Sequence, residues 1–195
     1  MKEETVQRIL SATRELLVEG GVHGLTVEGV SGRSGVAKTT IYRRYRSKDD
    51  LALAVLLQMV QDVVAVPELD DTRSELVAFV HGAVRVLGST IMGRVMQGLV
   101  SDFAADPELG RAFREQIVAR RMAEVRRLVE RGTARGDLRP GLDEEMVHDL
   151  LFGPVYYRLL LSGAPLDEGL AERVVDAVMP WLTGAGSAEA VRSSH

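Results

Sequence analysis

The sequence predicts an all-α chain of about nine helices, and three observations carry that reading. Apolar residues recur at helical spacing along the chain, beginning with Val6, Ile9, Leu10, Leu16 and Leu17, which is the period of one face of an α-helix. No stretch sustains period-two alternation, and no Asn-Gly or Asp-Gly pair joins two β-branched runs, so strands and hairpins leave no signal. Cap and stop residues also stand where the periodic stretches begin and end. With 195 residues, 46% of them apolar and 27% charged, the chain has a globular composition and ample length for a core. A disordered or collagenous chain is excluded.

The elements follow in order. A first helix spans 2–19 and is ended by Gly20-Gly21, because glycine accepts the left-handed backbone of a helix terminus. Thr26 is a natural N-cap for a short helix over 27–34, closed by Gly35, and another short helix covers 38–45. Ser47 caps a longer helix over 48–65, with Asp50 in the capping-box position and Pro67 just beyond its end. Thr72 opens a helix to 87, and a further one covers 90–104. Asp106-Pro107 places proline at the first helical position of a long helix reaching about 134. Asp143 and Asp167 cap the last two, over 144–162 and 168–183. The tail 184–195 is small and polar without a period, and is expected to fray. The expected division is a three-helix domain with its linking helix over 1–64, followed by a helical domain over 65–195.

Composition narrows the function classes. There is no cysteine, which removes disulfides, thiolate nucleophiles and the common structural zinc sites. The longest apolar run, Leu51 to Leu57, is about a third of a membrane span, and the start Met1-Lys2-Glu3-Glu4 is acidic where a signal peptide is basic. A cytoplasmic protein with no membrane partner is expected. Only three lysines stand beside 21 arginines and there is no asparagine, which fits a GC-rich, bacterial genome. The net charge of −4 is uneven: residues 1–48 carry +4 and the rest −8. Within residues 30–48 lie six basic groups (Arg33, Lys38, Arg43, Arg44, Arg46, Lys48) and no acidic one, a window that attracts a phosphate backbone.

The window is also patterned. Two short helices separated by Gly35-Val36-Ala37 form a helix-turn-helix, in which glycine permits the turn, Val36 fills the space between the helices and the second helix enters the major groove. Val27 and Val30 pack the first helix, and Ile41 and Tyr45 the second. Lys38, Thr39, Thr40, Tyr42, Arg43 and Arg44 then face outward, side chains that bond phosphates and base edges, arginine being suited to guanine.

Leu25-Thr26-Val27, the run from Gly35 to Tyr45, and Ser47-Lys48-Asp49-Asp50-Leu51 together resemble the signature of the tetracycline-repressor (TetR) family of bacterial transcription regulators. A second likeness, to one group of C-terminal halves in that family, rests on Gly136-Asp137-Leu138-Arg139, Phe152-Gly153-Pro154, Tyr156-Tyr157-Arg158 and Leu160-Leu161-Ser162-Gly163. The resemblance implies that Tyr42 and Lys48 hold phosphates with Thr40 assisting, that Thr26 is a further DNA-binding residue, and that Lys38, Thr39, Arg43 and Arg44 meet base edges. This chain departs from the family pattern at Tyr45, usually phenylalanine, and at Arg46, often proline. Gly29 and Gly32 each cost about 1 kcal/mol of helix propensity, and Ser31 replaces a small apolar residue, so the first motif helix is expected to be locally weak. Glu28 stands where relatives present a polar or basic group, and reads either as an acceptor for a cytosine amine or as a solvated glutamate.

From Leu150 to Leu161 the helix over 144–162 is apolar on nearly every face, so it must be covered on two sides. The resemblance assigns one side to a second copy in a four-helix interface, with Leu151, Val155, Leu159, Leu160, Val174, Val178 and Trp181 as candidates. It also implies a small apolar effector, for which Met92, Met96, Phe103, Phe113, Met122 and Phe152 are candidate lining residues, each equally readable as core. Ligand entry is expected to move the helix over 48–65 and change the separation of the two recognition helices. The arginine-rich stretch 111–139 interleaves Glu115, Glu124 and Glu130 and reads as a solvated helix. His23, His81, His148 and His195 form no ligand cluster, and Glu145-x-x-His148 is a single copy of a spacing that di-iron bundles need twice. No nucleophile elbow, P-loop or dinucleotide fingerprint occurs, so no metal, cofactor or catalysis is expected. The sequence thus points to a dimeric repressor of a palindromic operator, released by a small molecule. The alternative is a helical interaction protein that uses the helix-turn-helix as scaffold.

Overall fold

The structure, a computed structural model, describes residues 3–61, 68–88 and 90–185. These residues form nine helices and no strand. They are α1 (Glu3–Gly24), α2 (Val27–Ser34), α3 (Lys38–Tyr42), α4 (Lys48–Gln61), α5 (Thr72–Gly88) and α6 (Thr90–Asp102). Next come α7 (Pro107–Phe113, a π turn Arg114–Val118, then Ala119–Arg135), α8 (Glu144–Tyr157 with a π turn Arg158–Ser162) and α9 (Leu170–Thr183). The predicted last turn of the helix over 48–65, its stop before Pro67, the start at Lys2 and the tail from 186 lie outside the described residues. Among the described residues no single helix is long and apolar enough to cross a membrane.

The described residues divide into two compact units, 3–61 with 90–117 and 68–88 with 118–185. In the first, α1 packs on α2, α4 and α6 through Ile9, Leu10 and Leu17, with Thr13 fully buried and its hydroxyl donating to the Ile9 carbonyl. The regular helix breaks at Gly21, whose φ of 63° lies in the left-handed region, as the Gly20-Gly21 pair predicts. Thr26 caps α2, its hydroxyl accepting from the Gly29 amide at 3.0 Å. Gly35 ends α2 with φ 65°.

The surroundings of α2 tie this glycine-containing helix to its neighbours. A Cβ on Gly29 would sit 3.1 Å from Thr26 Oγ1 and 3.3 Å from Leu16, so this glycine lets α1 and the cap approach closely. Ser31 donates to the Val36 carbonyl and the Val36 amide donates to Ser34 Oγ, which ties the turn with bonds no apolar residue would supply. Gly32, by contrast, meets open space. Thr26→Ala should therefore cost about 1 kcal/mol in urea unfolding, the usual value of a lost N-cap; an unchanged midpoint would show that the cap carries no stability.

Ser47 caps α4, accepting from the amides of Asp49 and Asp50. Asp50 reaches one residue further back than a capping box requires, to the Arg46 amide and guanidinium. Asp106 caps α7 through the Leu109 amide, with Pro107 following it.

In the second unit α5 packs on α7, α8 and α9, with Phe79 edge-on to Phe152 at 5.1 Å. The Gly136-Asp137-Leu138-Arg139 stretch is a structural stitch. Asp137 accepts from the amide and hydroxyl of Thr72, where α5 begins. Leu138 lies where a Cβ on Gly132 would come within 2.7 Å, and Arg139 donates to the Trp181 carbonyl with its guanidinium 5.0 Å from the indole centroid. Asp143 caps α8 through the Glu145 and Met146 amides. The expected cap at Asp167 does not form. Its carboxylate is taken by Arg173, and α9 starts at Leu170 with Gly169 in the cap position.

Candidate nucleic-acid interface

The helix-turn-helix is built by burial from beneath. Val27 and Val30 of α2, Val36 in the turn, and Ile41 with Tyr45 are all buried, so the opposite face of α3 must meet solvent. Regular helix ends at Tyr42, earlier than expected, and the Arg44 amide turns back three residues to the Ile41 carbonyl at 3.0 Å. Arg43 and Arg44 therefore sit in a closing turn, exposed, with the Arg44 guanidinium 5.9 Å from the Tyr45 ring. Lys38 and Thr39 are exposed, Tyr42 is half exposed, and Thr40 is half-buried.

Charge pairing sorts the six basic groups of the window. Arg33 is held by Glu19 at 2.7 Å, Arg46 by Asp50 at 3.1 Å and Lys38 by Glu28 at 3.0 Å. Lys48, half-buried, donates to the Val22 carbonyl at the end of α1. Among the described residues Arg43 and Arg44 have no acidic partner, and they are the cations most readily given to phosphate or guanine. The Lys38 ammonium hydrogen-bonds Glu28 and holds its carboxyl below the usual range. The two readings of Glu28 thus give way to a third: it neutralises an exposed lysine of the next helix. The Ser47 cap also leaves Asp49 with a buried oxygen that has no partner, and burial raises its pKa.

The other candidates are distributed as follows. Met92, Met96 and Phe113 are buried in the first unit with Phe103, whose ring lies 5.2 Å from that of Phe113. Met122 and Phe152 belong to the second unit. Leu151, Val155, Val174 and Val178 are buried within the chain, and Leu159, Leu160 and Trp181 are half-buried. The outer row of α8 is instead Met146, Leu150, Tyr157 and Leu161, all exposed. Among the described residues no three metal-ligating side chains converge.

Besides Glu124, two buried charged groups escaped the sequence reading. Glu75 on α5 is fully buried, accepting from Arg131, Arg135 and the Leu69 amide. Arg121 of the supposedly solvated stretch is also buried. The signal available for each is a charge inside an apolar stripe: Glu75 beside Leu76 and Phe79, and Arg121 between Ile117 and Val125.

Packed cores behind a short outward helix, two exposed arginines at its end and a lysine guarded by an acid define a helix-turn-helix DNA-binding protein. Residues 9–55 match the family described as bacterial regulatory proteins, tetR family. Residues 66–178 match the tetracyclin repressor-like C-terminal domain. The chain belongs to the TetR family of transcription regulators. It is 32% identical over 191 residues to the uncharacterised HTH-type transcriptional regulator YdeS of Bacillus subtilis, covering 98% of this chain and 94% of the relative. It is 26% identical to the DNA-binding transcriptional repressor TetR of Mycobacteroides abscessus over 92% of this chain and 94% of that one. Among solved structures, the TetR family transcription regulator SCO0332 superposes with a TM-score of 0.77 at 33% identity, covering 91% of this chain and 97% of that chain. FadR from Bacillus subtilis in complex with stearoyl-CoA shares the fold, with a TM-score of 0.67 at 19% identity over 89% of this chain and 96% of that chain.

Proposed function

We propose that this regulator is a dimeric, cytoplasmic repressor that grips a palindromic duplex with α3 of each copy and lets go when a small apolar ligand binds. The observation that carries the DNA reading is the exposure of Thr39, Tyr42, Arg43 and Arg44 with no acidic side chain on either arginine among the described residues. Arg43 and Arg44 are assigned to base edges together with Lys38 and Thr39. Tyr42, Thr40, Thr26 and Lys48 are assigned to the backbone, where phosphate contacts set register. Two such helices read half-sites one helical turn apart, about 34–36 Å, if two copies associate. The exposed Met146, Leu150, Tyr157 and Leu161 row on α8 favours association, since a contiguous apolar strip calls for a cover. Ligand release is supported by family membership and by a fold neighbour that carries stearoyl-CoA.

The test is to select duplexes from a random pool and titrate the preferred one against Arg43→Ala, Arg44→Ala and Lys48→Ala at several salt concentrations. Either arginine change should cost about 1–3 kcal/mol on the preferred duplex and relax its specificity, whereas Lys48→Ala should weaken every sequence alike and flatten the salt slope by about one unit. Unchanged specificity profiles would remove the base-reading assignment. Absence of any salt-dependent duplex binding would favour an interaction module built on the same scaffold.

A further inference from the structure

The second unit holds a buried positive charge with no counter-charge among the described residues. Arg121 is 4% exposed, and among the described residues no carboxylate lies within ion-pair distance of it. Glu124, one turn further along, is committed to Arg127 at 2.8 Å. The acceptor Arg121 does have is the Tyr156 hydroxyl, and its guanidinium lies 5.0 Å from the Phe152 ring centroid and 5.7 Å from that of Tyr156. Aromatic faces and one phenol recover only part of the hydration a guanidinium loses on burial.

A second polar group lies beside the same ring. His148 is 9% exposed and its ring centroid lies 5.0 Å from that of Phe152. Its Nδ1 faces the Asp149 carboxylate at 3.3 Å, and its buried Nε2 has no partner among the described residues. Burial chiefly, and Arg121 in addition, lower the pKa of this imidazole. With the ring neutral and its proton directed to Asp149, Nε2 offers a lone pair to a hydroxyl. The Tyr156 hydroxyl accepts from Arg121, so its own proton remains free to give. Tyr156 also lies just before the π turn Arg158–Ser162, a local irregularity that recurs at functional sites.

We propose that Arg121, with the Tyr156 hydroxyl, is the anchor for the carboxylate of a small organic acid whose apolar body lies against Phe152, and that His148 Nε2 receives a hydroxyl on that acid. The proposal deepens the ligand reading above and rests on it, replacing a merely apolar effector with an apolar acid. A planar guanidinium presents paired donors that match a carboxylate, and such charge-assisted bonds are the strong ones. Arriving there, an anion would complete the charge that the protein leaves open.

The experiment measures direct binding to the full-length protein by calorimetry for benzoate, 4-hydroxybenzoate and decanoate. Benzyl alcohol and decanol serve as the neutral counterparts of benzoate and decanoate. At least one acid should bind about tenfold or more tightly than its alcohol, as expected for a hydrogen bond to a charged group. The preference should vanish in Arg121→Met and persist in part in Arg121→Lys. His148→Phe should remove any advantage of 4-hydroxybenzoate over benzoate while leaving benzoate itself bound. Acids that bind no better than alcohols, no binding by any acid, or an intact preference in a folded Arg121→Met protein would overturn the site. The parent comparison needs no variant, so misfolding of one cannot shield the proposal. Operator release is scored separately. An acid that binds through Arg121 but leaves the DNA complex intact keeps the site and removes ligand release. Release by a neutral alcohol with no acid preference does the reverse.

Discussion

Tyr157→Glu is expected to turn a dimer into monomers and to lower operator affinity by about a hundredfold or more. Tyr157 is 58% exposed in the middle of a row that runs from Met146 through Leu150 to Leu161. The inward face of the same helix holds Val147, Leu151, Phe152 and Val155, all buried. The substitution therefore touches the outer face alone, and helical content should not change. A carboxylate placed in an apolar interface loses its hydration without gaining a partner. Joining two half-site readers raises overall affinity about 10²–10⁴-fold over either alone, and that gain disappears with the dimer. Mass measurement at micromolar concentration and anisotropy on the preferred duplex check both halves of the expectation. A parent protein that is already monomeric, or a Tyr157→Glu protein that still binds DNA as tightly as the parent, would falsify it.

Glu75→Ala should lower stability by about 3 kcal/mol, near the lower end for breaking a buried ion pair. The reason is geometric: Glu75 is fully buried, while Arg131 and Arg135 are about a quarter to a third exposed and recover some hydration when it is removed. Arg131 Nε, already buried without a partner, would then belong to a guanidinium with no carboxylate. The same carboxylate makes stability depend on pH. Burial pushes the Glu75 pKa up, but hydrogen bonds from the Leu69 amide, Arg135 and Arg131 outweigh it, so the net direction is below the usual 4.5. A depressed folded value gives stability that is full above the unfolded pKa and is lost as pH falls through the folded one. The parent should thus lose more stability than Glu75→Gln as the pH drops below 4.5. Chemical unfolding at pH 7 and in acid measures it, and parallel acid profiles for the two proteins would contradict the assignment.

Legibility in the sequence followed the range of the interactions. Thr26, Ser47, Asp106 and Asp143 act on amides two or three residues away, and a cap with that reach is written in the local order of residues. Gly21 and Gly35 hold the left-handed backbone that their positions at helix ends require. The recognition face was legible for a related reason. Once Ile41 and Tyr45 are assigned inward, helical spacing leaves Thr39, Tyr42 and Arg43 outward. Family membership rested on the same local window and on the Gly136 to Arg139 stretch, whose work as a stitch to Thr72 and Trp181 no local rule announces.

The sequence by itself therefore determined the helices, most of their caps, the helix-turn-helix and the basic window that suits DNA. Only the tertiary structure decided which charges in that window are free, because Glu28 meets Lys38 and Glu19 meets Arg33 across separate helices. It also decided that Asp167 leaves its cap for Arg173, that Leu151 and Val155 face inward while Leu150 and Tyr157 face out, and that Glu75 and Arg121 are buried. Spacing states which residues share a face of one helix, but the partner across that face is chosen by packing. A charge on an apolar stripe reads alike whether it ends in water, on a buried counter-ion or in a site awaiting one.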